Sequence, residues 1–262
     1  MTLSSIVVPR TGKIAVSHQT NLGVSTYDLN DLYSPDTAYW KSKVLDLASP
    51  KYAPNKNYIF DKSHYQNHGA ITGATWVRNA AGIWVLNFDG DDYVRNTTAN
   101  WRSGDSAGSL LAWIKTSTDA QQTIFSSEDE ASTNYTFRFR VNLTTGTIGI
   151  VQSNNDTPDA VNGTTNVRDG KWHLVGIVSS GTAWSLYVDT TTEGLTTTSG
   201  SNTGDWFADT PNRDNFAFGI RYSTSATLGF TGQIALGRVF SPVLTATQFL
   251  NIYNHELSLF NV

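Results

Sequence analysis

Residues 85–94 read VLNFDGDDYV, and three carboxylates, Asp89, Asp91 and Asp92, fall within four positions. Three readings compete for such a cluster: a metal loop, an acid/base pair, or a turn between two strands. A calcium loop of the EF-hand type starting at Asp89 needs glycine at its sixth position and glutamate at its twelfth. Those positions hold Val94 and Asn100, so that reading fails. A catalytic carboxylate pair on a β-sandwich is expected along one strand, with alternate side chains pointing into a cleft. Asp89-Gly90-Asp91-Asp92 has the composition of a tight turn instead. Gly90 is free to take a positive φ, and aspartates flank it. Leu86 and Phe88 alternate with Val85 and Asn87 before the turn, and Tyr93-Val94 resumes a strand after it. The segment is expected to be a hairpin.

Other segments repeat the period of two. TFRFRV (136–141) sets Phe137, Phe139 and Val141 against Arg138 and Arg140. KWHLVGIV (171–178), WSLYVD (184–189) and FAFGIR (216–221) alternate in the same way, bounded by Gly, Asn, Asp and Ser. Such runs are antiparallel strands, and SSGT (179–182) is a hairpin turn between two of them. Many short strands at fairly even spacing make a sandwich or barrel. One helix is predicted near the end, in TATQFLNIYNHE (245–256). Thr245 and Gln248 form a capping box, and Phe249, Ile252 and Tyr253 share a face that packs on the sandwich edge.

The 262 residues are 39% hydrophobic and only 15% charged, so Ser, Thr, Asn and Gly must cover the surface. Eight tryptophans supply a sizeable core, with Trp113, Trp172 and Trp184 expected inside it. A net charge of −4 gives no electrostatic footprint for nucleic acid. The absence of cysteine excludes disulfides, thiolate metal sites and a cysteine nucleophile. MTLSSIVVPR has no positive charge ahead of a short apolar run, so no secretory leader is expected, and no stretch is long and apolar enough to span a membrane. Residues 1–56 lack sustained periodicity and are expected to be an extended arm or a small accessory region ahead of a domain at 57–262. Tyr33, Tyr39, Trp40 and Leu45 are costly to leave in water and are its candidate contacts to a partner subunit.

FDGDDYV, preceded by YIFDKSHYQNHGAITGATW, resembles the opening of a laminin-G-like, concanavalin A-like domain. The matching motifs are Asp61-Lys62-Ser63, Asn67-His68-Gly69, Trp76 and Phe88-Asp89-Gly90. They continue through SLLAWIKT, GKWHLVGIV, WSLYVD and the closing FTGQIALGRVFSPVLTATQFLNIYN, covering about residues 58–257. The resemblance implies an all-β, two-sheet jelly-roll sandwich that binds glycans or proteins, often with a structural Ca²⁺. Two departures matter. The family's closing Ile-Asp is Ile234-Ala235 here, which removes an oxygen ligand. Its Tyr-Val-Asp-Gly turn is Tyr187-Val188-Asp189-Thr190, which implies a different or longer hairpin. Asp61 and Asn67 could still hold calcium with backbone carbonyls, or could simply hydrogen-bond their turn.

Trp101 and Trp206 lie in polar loops beside Asn and Asp. They either stack on sugars or cap the ends of the sandwich. Glu128, Asp129 and Glu130 form a second acidic run, read as a solvated loop. Arg138, Arg140 and Arg221 are read as a solvated sheet face able to meet acidic partners. There is no HExxH, GxGxxG or P-loop sequence. These features favour non-catalytic recognition or assembly, at a virion or other extracellular surface. The leading reading is a phage capsid decoration or tail protein held by its arm to other subunits. The alternative is a free-standing carbohydrate-binding lectin module, and the third is a polysaccharide-cleaving enzyme.

Overall fold

A computed structural model describes residues 42–47, 49–50 and 53–260. Its strands are β1 (Lys43–Leu47), β2 (Tyr58–Ile59), β3 (Gly69–Thr72), β4 (Thr75–Arg78), β5 (Trp84–Asp89), β6 (Tyr93–Asn96) and β7 (Gly108–Lys115). They continue as β8 (Gln122–Glu128), β9 (Thr136–Val141), β10 (Thr147–Asn154), β11 (Thr157–Asn166), β12 (Trp172–Ser179) and β13 (Trp184–Val188). Last come β14 (Thr191–Thr192), β15 (Thr196–Ser199), β16 (Phe216–Phe218), β17 (Arg221–Tyr222), β18 (Ala226–Thr227) and β19 (Thr231–Phe240), followed by helix α1 (Ala246–Phe260).

An eight-stranded antiparallel sheet runs β14-β13-β12-β7-β19-β5-β4, with β1 also paired to β19. A nine-stranded sheet runs β15-β11-β10-β9-β8-β16-β6-β3-β2. The two form the jelly-roll sandwich. Phe137, Phe139, Val141, Ile148 and Ile150 from one sheet share a core with Leu110, Ile114, Val175 and Ile177 from the other. Trp184 belongs to this core. Trp113 and Trp172 are also buried, but in a second apolar layer on the far side of the eight-stranded sheet. That layer is roofed by α1. Phe260 and Tyr253 stack on Trp113 at 4.2 and 5.7 Å, and Phe249 stacks on Tyr187 at 4.9 Å. The helix therefore covers a sheet face, where an edge was expected. Gly176 admits it, because a Cβ there would lie 2.5 Å from the Phe249 ring. The capping box forms as expected: the Thr245 N–H donates to Gln248 Oε1 and the Gln248 N–H to Thr245 Oγ1.

The opening segment is a turn, but not a hairpin. β5 lies in the eight-stranded sheet and β6 in the nine-stranded one, so Gly90 (φ 116°) carries the chain from one layer to the other. Leu86 and Phe88 on one side and Val94 on the other drop into the same core from opposite sheets. The SSGT turn does join a pair, β12 and β13. The Tyr187–Thr190 segment makes a tight two-residue turn between β13 and β14, not a longer one. Asp189 takes φ 53° there, its Oδ1 accepting the Leu174 N–H.

The sandwich begins earlier than residue 57. β1 pairs with the second half of β19, Lys43 opposite Phe240 and Leu47 opposite Gly237. Leu45 is fully buried in this chain's own core, so it is not a contact held ready for a partner. Tyr33, Tyr39 and Trp40 lie outside the described residues. A buried ion cluster fixes β1 in place. Arg238 pairs with Glu256 of α1 (2.7 Å) and Asp46 of β1 (3.4 Å), Lys43 pairs with Asp46, and Trp113 Nε1 donates to Glu256 (2.7 Å).

Candidate functional site

The two loop tryptophans are core residues. Trp206 is 0% exposed and Trp101 4%, and both pack on Phe207, which a 3-10 turn at Phe207–Asp209 folds inward. An indole without a free face cannot stack on a sugar, so of the two readings only the packing one fits. Asp61 is buried as well, and its oxygens are already used. Oδ1 accepts the N–H groups of Asp46 and Ser63, and Oδ2 accepts the Ser63 hydroxyl and the Asn67 N–H. Four donors occupy the carboxylate's lone pairs, so Asp61 does not fit a calcium ligand set, and Asn67 enters this network by its backbone N–H. Ala235, at the family's acidic position, faces Trp113 in the apolar layer beneath the helix.

Asp89, Asp91 and Asp92 do draw together, with carboxylate oxygens within 4.8 Å of one another. Asp92 is buried and accepts the Asp89 N–H (3.1 Å), which closes the turn. A hydrogen bond with Asp91 pulls the Asp89 carboxyl below its ordinary range and pushes Asp91 above it; burial raises Asp92. The cluster is a turn closed by the Asp92 carboxylate.

Glu128 is not in a solvated loop. It ends β8, is fully buried and is gripped by Arg221 Nε at 2.9 and 3.1 Å. Burial pushes its carboxyl up, against the pull of Arg221. Glu130 pairs separately with Arg95 (3.0 Å).

The features that suit recognition lie on the outer face of the nine-stranded sheet. Cross-strand register sets Tyr58, Ala70, Arg95, Ala217, Ser126 and Arg138 in one row across β2, β3, β6, β16, β8 and β9. At the β2 end this face opens into a cleft of about 320 Å³, lined by Tyr58, His68, Ala70, Thr72, Tyr93, Arg95, Asn96 and Thr97. Gly69, beside Ala70, lets β3 close on β6, since a Cβ there would strike Val94 at 2.2 Å. Tyr58 is 47% exposed, and Phe60, also exposed, stands edge-on to His68 at 5.0 Å. His68 Nδ1 accepts the Asp61 N–H (3.1 Å), so the neutral ring carries its proton on Nε2 and offers a donor. Tyr93 packs on Tyr222 (5.3 Å), and the Arg95 guanidinium lies 4.0 Å over the Tyr222 ring.

The sequence reading did not find this cleft. One signal was present: Tyr93, Arg95 and Thr97 alternate with core-facing Val94, which aims them outward. Tyr58 and His68 reach the site only through strand pairing.

No curated protein matches the sequence. Similar solved structures include the Ruminococcus gnavus IT-sialidase CBM40 bound to α2,3-sialyllactose, at 16% identity and TM-score 0.50 over 57% of this chain and 83% of that one. The binding domain of botulinum neurotoxin DC in complex with rat synaptotagmin II is similar at 15% identity and TM-score 0.60, over 82% of this chain and 52% of that one. A botulinum neurotoxin type C structure, described as dependent for cell entry on two ganglioside molecules, matches at 14% identity and TM-score 0.57, over 82% and 51%. This chain spans about half the length of those toxin chains. At such identities the likeness establishes the fold. The family match is to the concanavalin A-like lectin/glucanases superfamily over residues 88–249, more than half of the sequence. With the two-sheet architecture and the motif order from Asp61 to the closing strand, this chain belongs to that laminin-G-like, concanavalin A-like superfamily.

Proposed function

We propose that this protein is a non-catalytic, lectin-like recognition module whose ligand is a glycan bound in the Tyr58–Tyr93 cleft. The carrying observation is the cleft itself. The exposed Tyr58 ring and the partly buried Tyr93 ring supply flat apolar faces for sugar C–H groups, and His68, Asn96, Thr72 and Thr97 supply donors and acceptors beside them. Support also comes from neighbours of the same fold that were solved with sialyllactose or described with gangliosides. Glu128 and Glu130, the acids that an enzyme reading would use, are each held by an arginine of their own.

The reading of a virion component anchored by residues 1–56 loses Leu45, which is core, and rests otherwise on residues outside those described. No described helix is long and apolar enough to cross a membrane. A glycan array tests the proposal. Wild-type protein is expected to retain a defined set of glycans, and Tyr58→Ala to lose them while keeping its melting temperature. Retention unaffected by Tyr58→Ala, or no retention, would sink it.

A further inference from the structure

Farther along the same outer face lies a second feature, three strands from the cleft. Arg138 and Arg140 are two positions apart on β9, so their side chains rise from one face with their bases roughly 7 Å apart. Arg138 is only 7% exposed, yet among the described residues its Nε has no hydrogen-bond partner, and the same holds for Nε of Arg140. The polar contacts present leave this need unmet. Arg140 Nη2 makes one long bond to Asn162 Oδ1 (3.4 Å), and the Glu128 carboxylate is spent on Arg221. Arg138 thus has two guanidinium neighbours, Arg140 and Arg221, against the one carboxylate of Glu128. Burial first, then Arg140, brings the Arg138 pKa down to about 10. A buried guanidinium with an unpartnered Nε beside a second one is costly unless an acceptor completes it.

We infer that Arg138 and Arg140 form an oxyanion subsite, which takes the carboxylate or sulfate group of an acidic glycan. Guanidinium forks match such planar or tetrahedral oxyanions through paired charge-assisted hydrogen bonds. The cross-strand row puts Arg138 about 14 Å from Arg95 at the cleft, three strand spacings of about 4.8 Å. The glycan part of this assignment rests on the proposed function; the anion part does not.

The test has two arms. In the first, low-millimolar sulfate is titrated at constant ionic strength against chloride, and the melting temperature is followed. Wild type is expected to show a saturable rise, as for any ligand that binds the native state alone. Arg140→Gln, at a partly buried position, is expected to need about tenfold more sulfate. Arg78→Gln, which removes the same charge from above Trp84 on the other sheet, is expected to respond like wild type. In the second arm, polygalacturonate, dextran sulfate and neutral dextran are compared by affinity electrophoresis. At least one acidic polymer is expected to retard wild type and not Arg140→Gln. Which one does so separates carboxylate from sulfate. A sulfate response that is absent, or unchanged in Arg140→Gln, overturns the subsite and leaves the cleft proposal standing. A normal sulfate response with no retention by either acidic polymer overturns the glycan assignment and leaves an anion site.

Discussion

Replacing Glu256 with glutamine probes how α1 and β1 are joined to the sandwich. In the native protein two cations, Lys43 and Arg238, face two carboxylates, Asp46 and Glu256, and all four are buried. Glu256→Gln keeps the shape and leaves one buried positive charge in excess. Breaking a buried pair from one side costs about 3–5 kcal/mol. For a domain of this size that is a fall in Tm of roughly 6–20 °C. The excess can be relieved at Lys43, whose pKa is already lowered, chiefly by burial. A lowered lysine pKa means that the unfolded chain binds more protons between the folded value and 10.5, so stability rises with pH in that window. The loss in Glu256→Gln should therefore shrink as pH rises toward the ordinary lysine range. Adding Lys43→Met should recover about 1–3 kcal/mol at neutral pH, as coupled neighbours do. Urea unfolding followed by tryptophan fluorescence measures both. A single-variant loss below about 1 kcal/mol, or no rescue by Lys43→Met, would refute the buried, balanced cluster and the place of β1 in the sheet.

Trp206→Ala is expected to cost about 3–5 kcal/mol in denaturant unfolding, as large aromatic truncations in cores do. Trp101→Phe should cost far less, since it also removes an indole N–H that has no partner; equal losses would contradict the packing described. Asp61→Ala should destabilise by about 2–4 kcal/mol through the loss of bonds to a charged acceptor. Added calcium should leave the melting temperature of wild type and variant unchanged, and a calcium-dependent rise would restore Asp61 as a ligand. His173 bonds Asp189 (2.7 Å) and Asp169 (3.0 Å). Burial opposes its charge most, but the two carboxylates together raise its pKa above 6.5. The stabilisation from this raised pKa is complete below 6.5 and is lost as pH rises through the folded value. An NMR titration should find the elevated pKa, and His173→Gln should flatten the stability profile there.

The strand pattern was legible because TFRFRV sends alternate residues to core and surface, and because the Asp61, Asn67 and Phe88-Asp89-Gly90 motifs occur in order. The layer beneath α1 was written less plainly. GSLLAWIK in β7 is apolar on both faces, as a strand covered on both sides must be. The arch at Gly90 has the chemistry of a hairpin turn, and only the pairing of β5 and β6 with different partners distinguishes them. Trp101 and Trp206 sit among polar neighbours in sequence, yet a 3-10 turn carries Trp206 inside and a separate turn at residues 99–104 sets Trp101 against Phe207. Arg138 alternates as a surface residue does. The β17–β18 ribbon, which packs by β17 on β8, and the Arg221–Glu128 pair crowd that face and bury it. The cleft joins residues 58, 68 and 93, and no local pattern spans that distance.

The most direct measurement is backbone amide shift mapping by NMR, with an oligosaccharide selected on the array. The account predicts shifts at residues 68–72 and 93–97, spreading toward β9 for acidic ligands, while the indole signals of Trp101 and Trp206 stay still. Shifts confined to the helix-covered sheet or to the Asp89–Asp92 turn would contradict it.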